Sequence, residues 1–168
     1  MNSIYLEDKN KFIDIKDIKD IPSNNKCIDC LSNDVNFVNL IFSVFICSFC
    51  SKRHKAYFMF FKNYILPIEG VSISGVEKEF LKMGGNAKFN SLLEYYNIDK
   101  NTSDLGVRYL NIATLYHIKV ILQTLNNAKF IENKPHKKQG KSRIYLKDLE
   151  KEISSLCPDY LVAKQTTL

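Results

Sequence analysis

Four of the five cysteines in this 168-residue chain form two pairs, Cys27/Cys30 and Cys47/Cys50, in the pattern C-x2-C, 16 residues, C-x2-C. A Cys-x-x-Cys knuckle places two thiolates at a spacing that one metal ion accepts. Two knuckles complete a tetrahedral four-sulfur shell suited to Zn2+. Two other readings compete with zinc. Paired disulfides belong to small secreted chains, and a redox Cys-x-x-Cys needs only one pair, near a βαβ pattern. The first residues lack the basic stretch and apolar run of a secretory signal. Asn2 stands where myristoylation requires glycine. The longest apolar run, 56–61, is far short of the ~20 residues that span a bilayer. A soluble intracellular domain with structural zinc is therefore expected. Since all four ligands are Cys, no position is left for a catalytic water, so the metal holds the fold. Cys157, beside Pro158, is expected to be a structural thiol.

Lys and Arg number 24 against 18 Asp and Glu, for a net charge of +6. Only three of the basic residues are arginines: Arg53, Arg108 and Arg143. A basic chain with a four-cysteine finger raises the question of nucleic acid, whose footprint is a basic face with stacking aromatics. Here the charge is scattered, and the one dense cluster, 134–143, reads as a flexible basic linker or a contact for anionic lipid or acidic protein. Nucleic acid is not expected as a partner. No Gly-rich phosphate loop is present, so the chain is not expected to bind nucleotide itself.

Hydrophobic periodicity places an imperfect amphipathic helix over 1–20, with Ile4, Leu6, Phe12, Ile15 and Ile18 apolar, ending before Pro22. Strands are expected at 37–40 and 42–46, and a helix from 48 to about 63. Residues 65–68 fit an edge strand, because Pro67 lacks a ladder donor. Gly70 and Gly75 bracket a loop before a helix through Leu81. Gly84-Gly85-Asn86 should stop that helix and supply Asn86 as N-cap of the next, 87–96. One long helix is expected over 105–125 and a last one over 145–156. The organisation expected is a domain over 1–131, a linker over 132–144, and a C-terminal helix and tail over 145–168.

The residues around the cysteines resemble the Arf GTPase-activating (ArfGAP) zinc-finger family. The family's Asn-Leu-Gly-Val-Phe-Ile before the third cysteine corresponds to Ile41-Phe42-Ser43-Val44-Phe45-Ile46, and its Ser-Gly-x-His-Arg after the fourth to Ser51-Lys52-Arg53-His54-Lys55. Met83-Gly84-Gly85-Asn86, Asn90 and Glu94 resemble a further run, and Arg108 and Tyr116 match its Arg-Glu-x-Phe-Ile-x-x-Lys-Tyr. The resemblance spans about 20–125. It implies an α+β fold in which a small antiparallel sheet carries the four-cysteine zinc finger and several helices surround it.

The function implied is activation of an Arf-family small GTPase, which makes the chain a regulator rather than an enzyme. In that family an arginine supplied in trans neutralises charge developing on the β/γ-phosphates, an effect worth roughly 10³–10⁵ in rate. The arginine belongs five residues after the fourth cysteine, where this chain has Lys55. A guanidinium can bridge two phosphate oxygens, whereas an ammonium is a compact, strongly hydrated charge. Weak stimulation follows as the expectation, and the alternative is a non-catalytic interaction module. At ~100° per residue, Arg53 would lie on the opposite side of a helix from Lys55 and is a poor substitute. His54 is expected to be structural. The family's tryptophans fall on Phe37, expected to fill the core as an aromatic plug, and Val71. The aromatic stretch 57–61 is expected to pack in the core. Coat proteins or a membrane surface are further expected partners of a monomeric chain, in the cytoplasm at Golgi or vesicle membranes.

Overall fold

The computed structural model describes residues 14–71, 73–126 and 132–156. At its centre lies a three-stranded antiparallel sheet of β1 (Val35–Asn39), β2 (Val44–Cys47) and β3 (Ile65–Pro67), in the order β2-β1-β3. Val38 faces Phe45 on one side and Leu66 on the other, and Asn39 pairs with both Val44 and Ile65. The strands expected at 37–40 and 42–46 are present but separated by a turn over 40–43. The Asn39 side chain stabilises that turn, its Oδ1 accepting the N–H groups of Ile41 and Phe42. Pro67 sits on the outer strand, where its missing donor costs nothing.

Helix α1 (Lys16–Lys19) is a single turn with Ile15 and Ile18 buried. The rest of the helix expected over 1–20 lies mostly outside the described residues, as does Cys157. Helix α2 (Ser48–Tyr57) follows the second knuckle directly. It stops at Phe58 rather than running to about 63, because a 3-10 stretch, Met59–Tyr64, takes over. Phe58, Phe61 and Tyr64 recur every third residue and are all buried; the threefold repeat of a 3-10 helix aligns them on one face.

Helix α3 (Gly75–Met83) starts at a reciprocal capping box: Ser74 Oγ accepts the Glu77 N–H at 3.3 Å, and Glu77 Oε2 accepts the Ser74 N–H at 2.8 Å. Helix α4 (Asn86–Tyr95) begins one residue earlier than expected, with Gly85 at φ +88° as the capping residue. Asn86 is therefore not the N-cap. Its amide turns instead to β2, where Oδ1 accepts the Phe45 N–H at 2.7 Å and Nδ2 donates to Phe45 O at 3.1 Å. Phe45 thus finds, on the open edge of the sheet, a carboxamide in place of a neighbouring strand. The same Nδ2 reaches Lys26 O, and the Asn86 N–H donates to Asn24 Oδ1.

The helix expected over 105–125 is two helices, α5 (Leu105–Tyr109) and α6 (Ile112–Leu125). Asn111 divides them: its Oδ1 caps Thr114 N–H at 2.9 Å while its Nδ2 bonds the carbonyls of Val107 and Arg108. Beyond α6, the stretch expected to be a flexible linker is folded. It contains α7 (Lys137–Gly140), and its Ile144 N–H and Ser142 carbonyl bond to Leu110 O and Ile112 N–H, respectively. Apolar periodicity vanishes there because backbone pairing and one glycine, not an apolar face, dock the segment. Helix α8 (Leu146–Leu156) buries Leu149 and Ile153 and packs on α6. No helix among the described residues is long and apolar enough to cross a membrane.

One close approach locks sheet to helices. Ser43, at φ +54°, donates from Oγ to Phe80 O at 3.1 Å, and its carbonyl accepts the Gly85 N–H at 2.9 Å. A Cβ on Gly84 would collide with the Ser43 side chain. Gly84→Ala should cost about 2 kcal/mol or more. Adding Ser43→Gly should recover at least about 1 kcal/mol, giving a coupling readable by a double-mutant cycle in urea unfolding of the zinc-loaded protein. Additive losses would show that the two residues do not press on each other.

Candidate functional site

The two knuckles converge. The Sγ atoms of Cys27, Cys30, Cys47 and Cys50 all lie within 4.8 Å of one another, with Cys30 and Cys47 Sγ 3.6 Å apart. Zn–S bonds of ~2.3 Å in a tetrahedron put the sulfurs about 3.8 Å apart, so the cluster fits a single Zn2+. All four are free thiols. The first knuckle is a tight loop closed by Leu31 N–H to Cys27 O, and the second caps α2, Cys47 Sγ accepting the Cys50 N–H at 3.4 Å. The donor set itself calls for a cation. A hydrogen bond from Cys50, acting against burial, lowers the Cys27 thiol to about 5, and that same contact and burial push Cys50 well up. Burial raises Cys30 as well. Four adjacent thiolates are sustained only around a metal charge.

A buried polar network holds this cluster to the helices. Asp29, inside the first knuckle, accepts from His54 Nε2 at 2.7 Å, from Arg108 Nη1 at 2.5 Å and from Tyr109 Oη at 2.7 Å. Burial opposes ionisation of Asp29, but the hydrogen bonds from His54 and Tyr109 and the charge of the Arg108 guanidinium outweigh it and hold the carboxyl below its ordinary value. Its contribution to stability is complete above the ordinary value of 3.8 and is lost as pH falls toward 2. His54 is wholly buried, which agrees with a structural role. Because Asn39 Oδ1 is engaged by Ile41 and Phe42, its NH2 faces His54 Nδ1 at 3.0 Å, so His54 carries its proton on Nε2, toward Asp29. Arg108 also donates to the carbonyls of Lys100 and Thr102, clasping the 97–104 loop.

His54 anchors α2 by its inner face, and this fixes the residues on either side. Lys55 lies on one flank, its Nζ 5.2 Å from the centroid of the Phe37 ring. Arg53 lies on the other, its Nη2 donating to Ser103 O at 2.6 Å. Tyr57, one turn beyond Arg53, meets Arg143 Nη2 at 3.4 Å, which brings a second guanidinium to that flank. Between the flanks, Phe49, Lys52 and Ala56 form an exposed crest, and Phe49 is 67% exposed.

Two expectations are refined here. Phe37 packs against the core as expected, but at its edge and only half-buried, with Lys55 Nζ over its outer face. The aromatic stretch is divided: Phe58 and Phe61 are buried, whereas Tyr57, Met59 and Phe60 are exposed. Sequence reasoning missed Asp29, Asn39 and Tyr109. The available signal was a carboxylate inside a metal knuckle and, far along a lysine-rich chain, an arginine able to pair with it.

The family model described as "Putative GTPase activating protein for Arf" matches residues 13–122. No curated protein matches the sequence. Among solved structures, a Cryptosporidium parvum "putative GTPase activating protein for ADP ribosylation factor" superposes with a TM-score of 0.60 at 16% identity, over 70% of this chain and 98% of that one. The ArfGap domain of human RIP gives 0.42 at 21% identity over 67% and 79%, and that of the HIV-1 Rev binding protein 0.43 at 20% over 81% and 89%.

Two tests follow from this centre. The purified chain should contain a single zinc by elemental analysis, and a chelator should abolish its cooperative thermal transition; an unchanged transition after metal loss would rule out a structural metal. Asp29→Asn should destabilise the zinc-loaded protein by about 3 kcal/mol in denaturant unfolding, because it strands a buried guanidinium. A loss below about 1 kcal/mol would show the network to be dispensable.

Proposed function

The chain belongs to the ArfGap family, and from that premise we propose that it docks on a GTP-loaded Arf-type small GTPase and stimulates hydrolysis weakly. The role is that of a GTPase regulator acting at cytoplasmic membrane surfaces such as those of the Golgi or vesicles. The observation that carries the reading is the presentation of α2. The buried His54–Asp29 bond at 2.7 Å fixes the helix on the zinc knuckle, so Lys55 projects from a rigid base. The exposed crest of Phe49 and Lys52 beside it offers a partner both an apolar anchor and positive charge.

Lys55 keeps a positive charge at the family's arginine position and loses the planar fork. A single ammonium satisfies one phosphate oxygen where a guanidinium bridges two, and it sheds its hydration less readily. Its approach to the Phe37 ring adds a modest cation–π attraction that must be given up on reaching for a nucleotide. Arg53, tied to Ser103 O across the helix, does not share that direction.

Single-turnover GTP hydrolysis by an Arf-family GTPase tests this. The wild-type chain should give a small stimulation, Lys55→Ala should remove it, and Lys55→Arg should raise it by about tenfold or more, toward the range of an arginine finger. Arg53→Ala should leave the rate unchanged. Full activity in wild type that disappears in Arg53→Ala would overturn the assignment of Lys55. A second reading, a docking module for the GTPase or a coat protein without catalysis, is favoured by the resting contact of Lys55 with Phe37. It predicts GTPase binding with no acceleration even in Lys55→Arg.

A further inference from the structure

The lysine-rich stretch 134–143 serves neither the metal centre nor α2, and its fold gives it a different use. Tyr96 Oη donates to Pro135 O at 3.0 Å, and Gly140 lies so close to the Tyr96 ring that a Cβ there would collide with it. The backbone is thus pinned on both sides of Lys137, and the lysines are aimed. Lys134 Nζ sits 3.5 Å from the centroid of Tyr95, and Lys137 Nζ sits 4.8 Å from the same ring. Each contact is mildly attractive, but two ammonium groups over one ring repel each other unless an anion joins them. Among the described residues, the ion pairs engage other cations, and neither Lys134, Lys137 nor Lys88 has a carboxylate within 4.0 Å.

Beside these lysines an open hollow of about 500 Å³ lies on α4 and α6, lined in part by Lys88, Leu92, Tyr95, Tyr96, His117 and Lys134. Lys88 spends one N–H on Met83 O at 2.6 Å and retains two. His117 Nε2 is shielded from solvent and has no hydrogen-bond partner among the described residues. The hollow therefore combines an apolar floor, the Lys134/Lys137 pair at its Tyr95 end, Lys88 at the other end and a buried ring nitrogen still to be satisfied.

We propose that this hollow binds the phosphorylated inositol headgroup of an anionic membrane lipid, with a phosphate at the Lys134/Lys137 pair over Tyr95 and Lys88 meeting the headgroup at the other end of the hollow. The cations are all lysines, which suit phosphate as point charges and lack the bidentate fork that selects a carboxylate. Nucleic acid would require an open aromatic face for stacking, and the face of Tyr95 is covered by lysine. Lys138 and Lys141, exposed on the same segment, add the attraction of a basic cluster for an anionic leaflet. This proposal does not rest on the GTPase reading, and its test uses no GTPase.

The test is co-sedimentation of the full zinc-loaded chain with phosphatidylcholine vesicles carrying either phosphatidylinositol bisphosphate or, at matched surface charge, phosphatidylserine. The wild type should bind the phosphoinositide vesicles more tightly. Lys88→Ala, and Lys134→Ala with Lys137→Ala, should each weaken that binding, the pair by more than about tenfold. Lys138→Ala with Lys141→Ala should weaken both vesicle types alike and leave the preference intact. Unchanged zinc content and thermal transition would confirm that the variants are folded. Equal binding to the two vesicle types with Lys88→Ala neutral would overturn the site in favour of diffuse charge attraction. Tight binding of free inositol trisphosphate without vesicle binding would overturn the lipid assignment, as would capture of acidic peptide or oligonucleotide with no lipid preference.

Discussion

Asp29 adjoins Cys30 in the chain and is buried where the first knuckle meets α2 and α5, so three parts of the fold converge on its ionised carboxylate. An unpaired charge at that depth would be untenable. Its oxygens are met by a histidine, an arginine and a tyrosine, and this full satisfaction turns a desolvation penalty into positional precision. The metal joins the two knuckles to each other; the carboxylate joins them to the rest of the chain. Each residue of the network then holds something further. His54 orients α2, and Arg108 gathers the 97–104 loop through two carbonyls.

A second seam is built by asparagines. Asn24, Asn39, Asn86 and Asn111 are all buried, and each carboxamide stands in for a missing piece of backbone. Asn86 completes the edge of β2, Asn39 closes the β1–β2 turn, and Asn111 ends one helix's carbonyls while starting the next. A carboxamide offers two donors and two acceptor sites, so it can bridge elements that lie far apart in the chain. In a composition rich in asparagine these four do not stand out. Three of them lie beside a turn or helix start where a local cap would serve as well, and so the sequence alone assigned Asn86 a cap and gave Asn111 no role.

The same seams connect fold to function. The helix that carries Lys55 is held by its N-terminal knuckle and by its inner histidine, so the direction of its outer residues follows from elements distant in sequence. The segment 134–143 illustrates the other route to a site. It has no apolar stripe, and its lysines are aimed by one tyrosine hydroxyl and one glycine contact. Its charge was plain in the sequence, but where that charge points depended on a docking that periodicity does not register.

Local chemistry alone determined the parts whose cause lies within a few residues. The cysteine spacing pointed to a four-sulfur metal centre, β-branched and aromatic residues marked the two strands, Pro67 placed its strand at an edge, and the basic substitution at Lys55 was visible without coordinates. Tertiary structure decided what depends on partners distant in sequence: the end of α2 at Phe58, the division at Asn111, the docking of 134–143, and the network between Asp29 and Arg108, 79 residues apart. The physical reason is the range of the forces involved. Metal ligation within a knuckle, strand pleating and proline geometry act on neighbours, whereas satisfying a buried charge or amide is a demand on whatever the fold brings beside it.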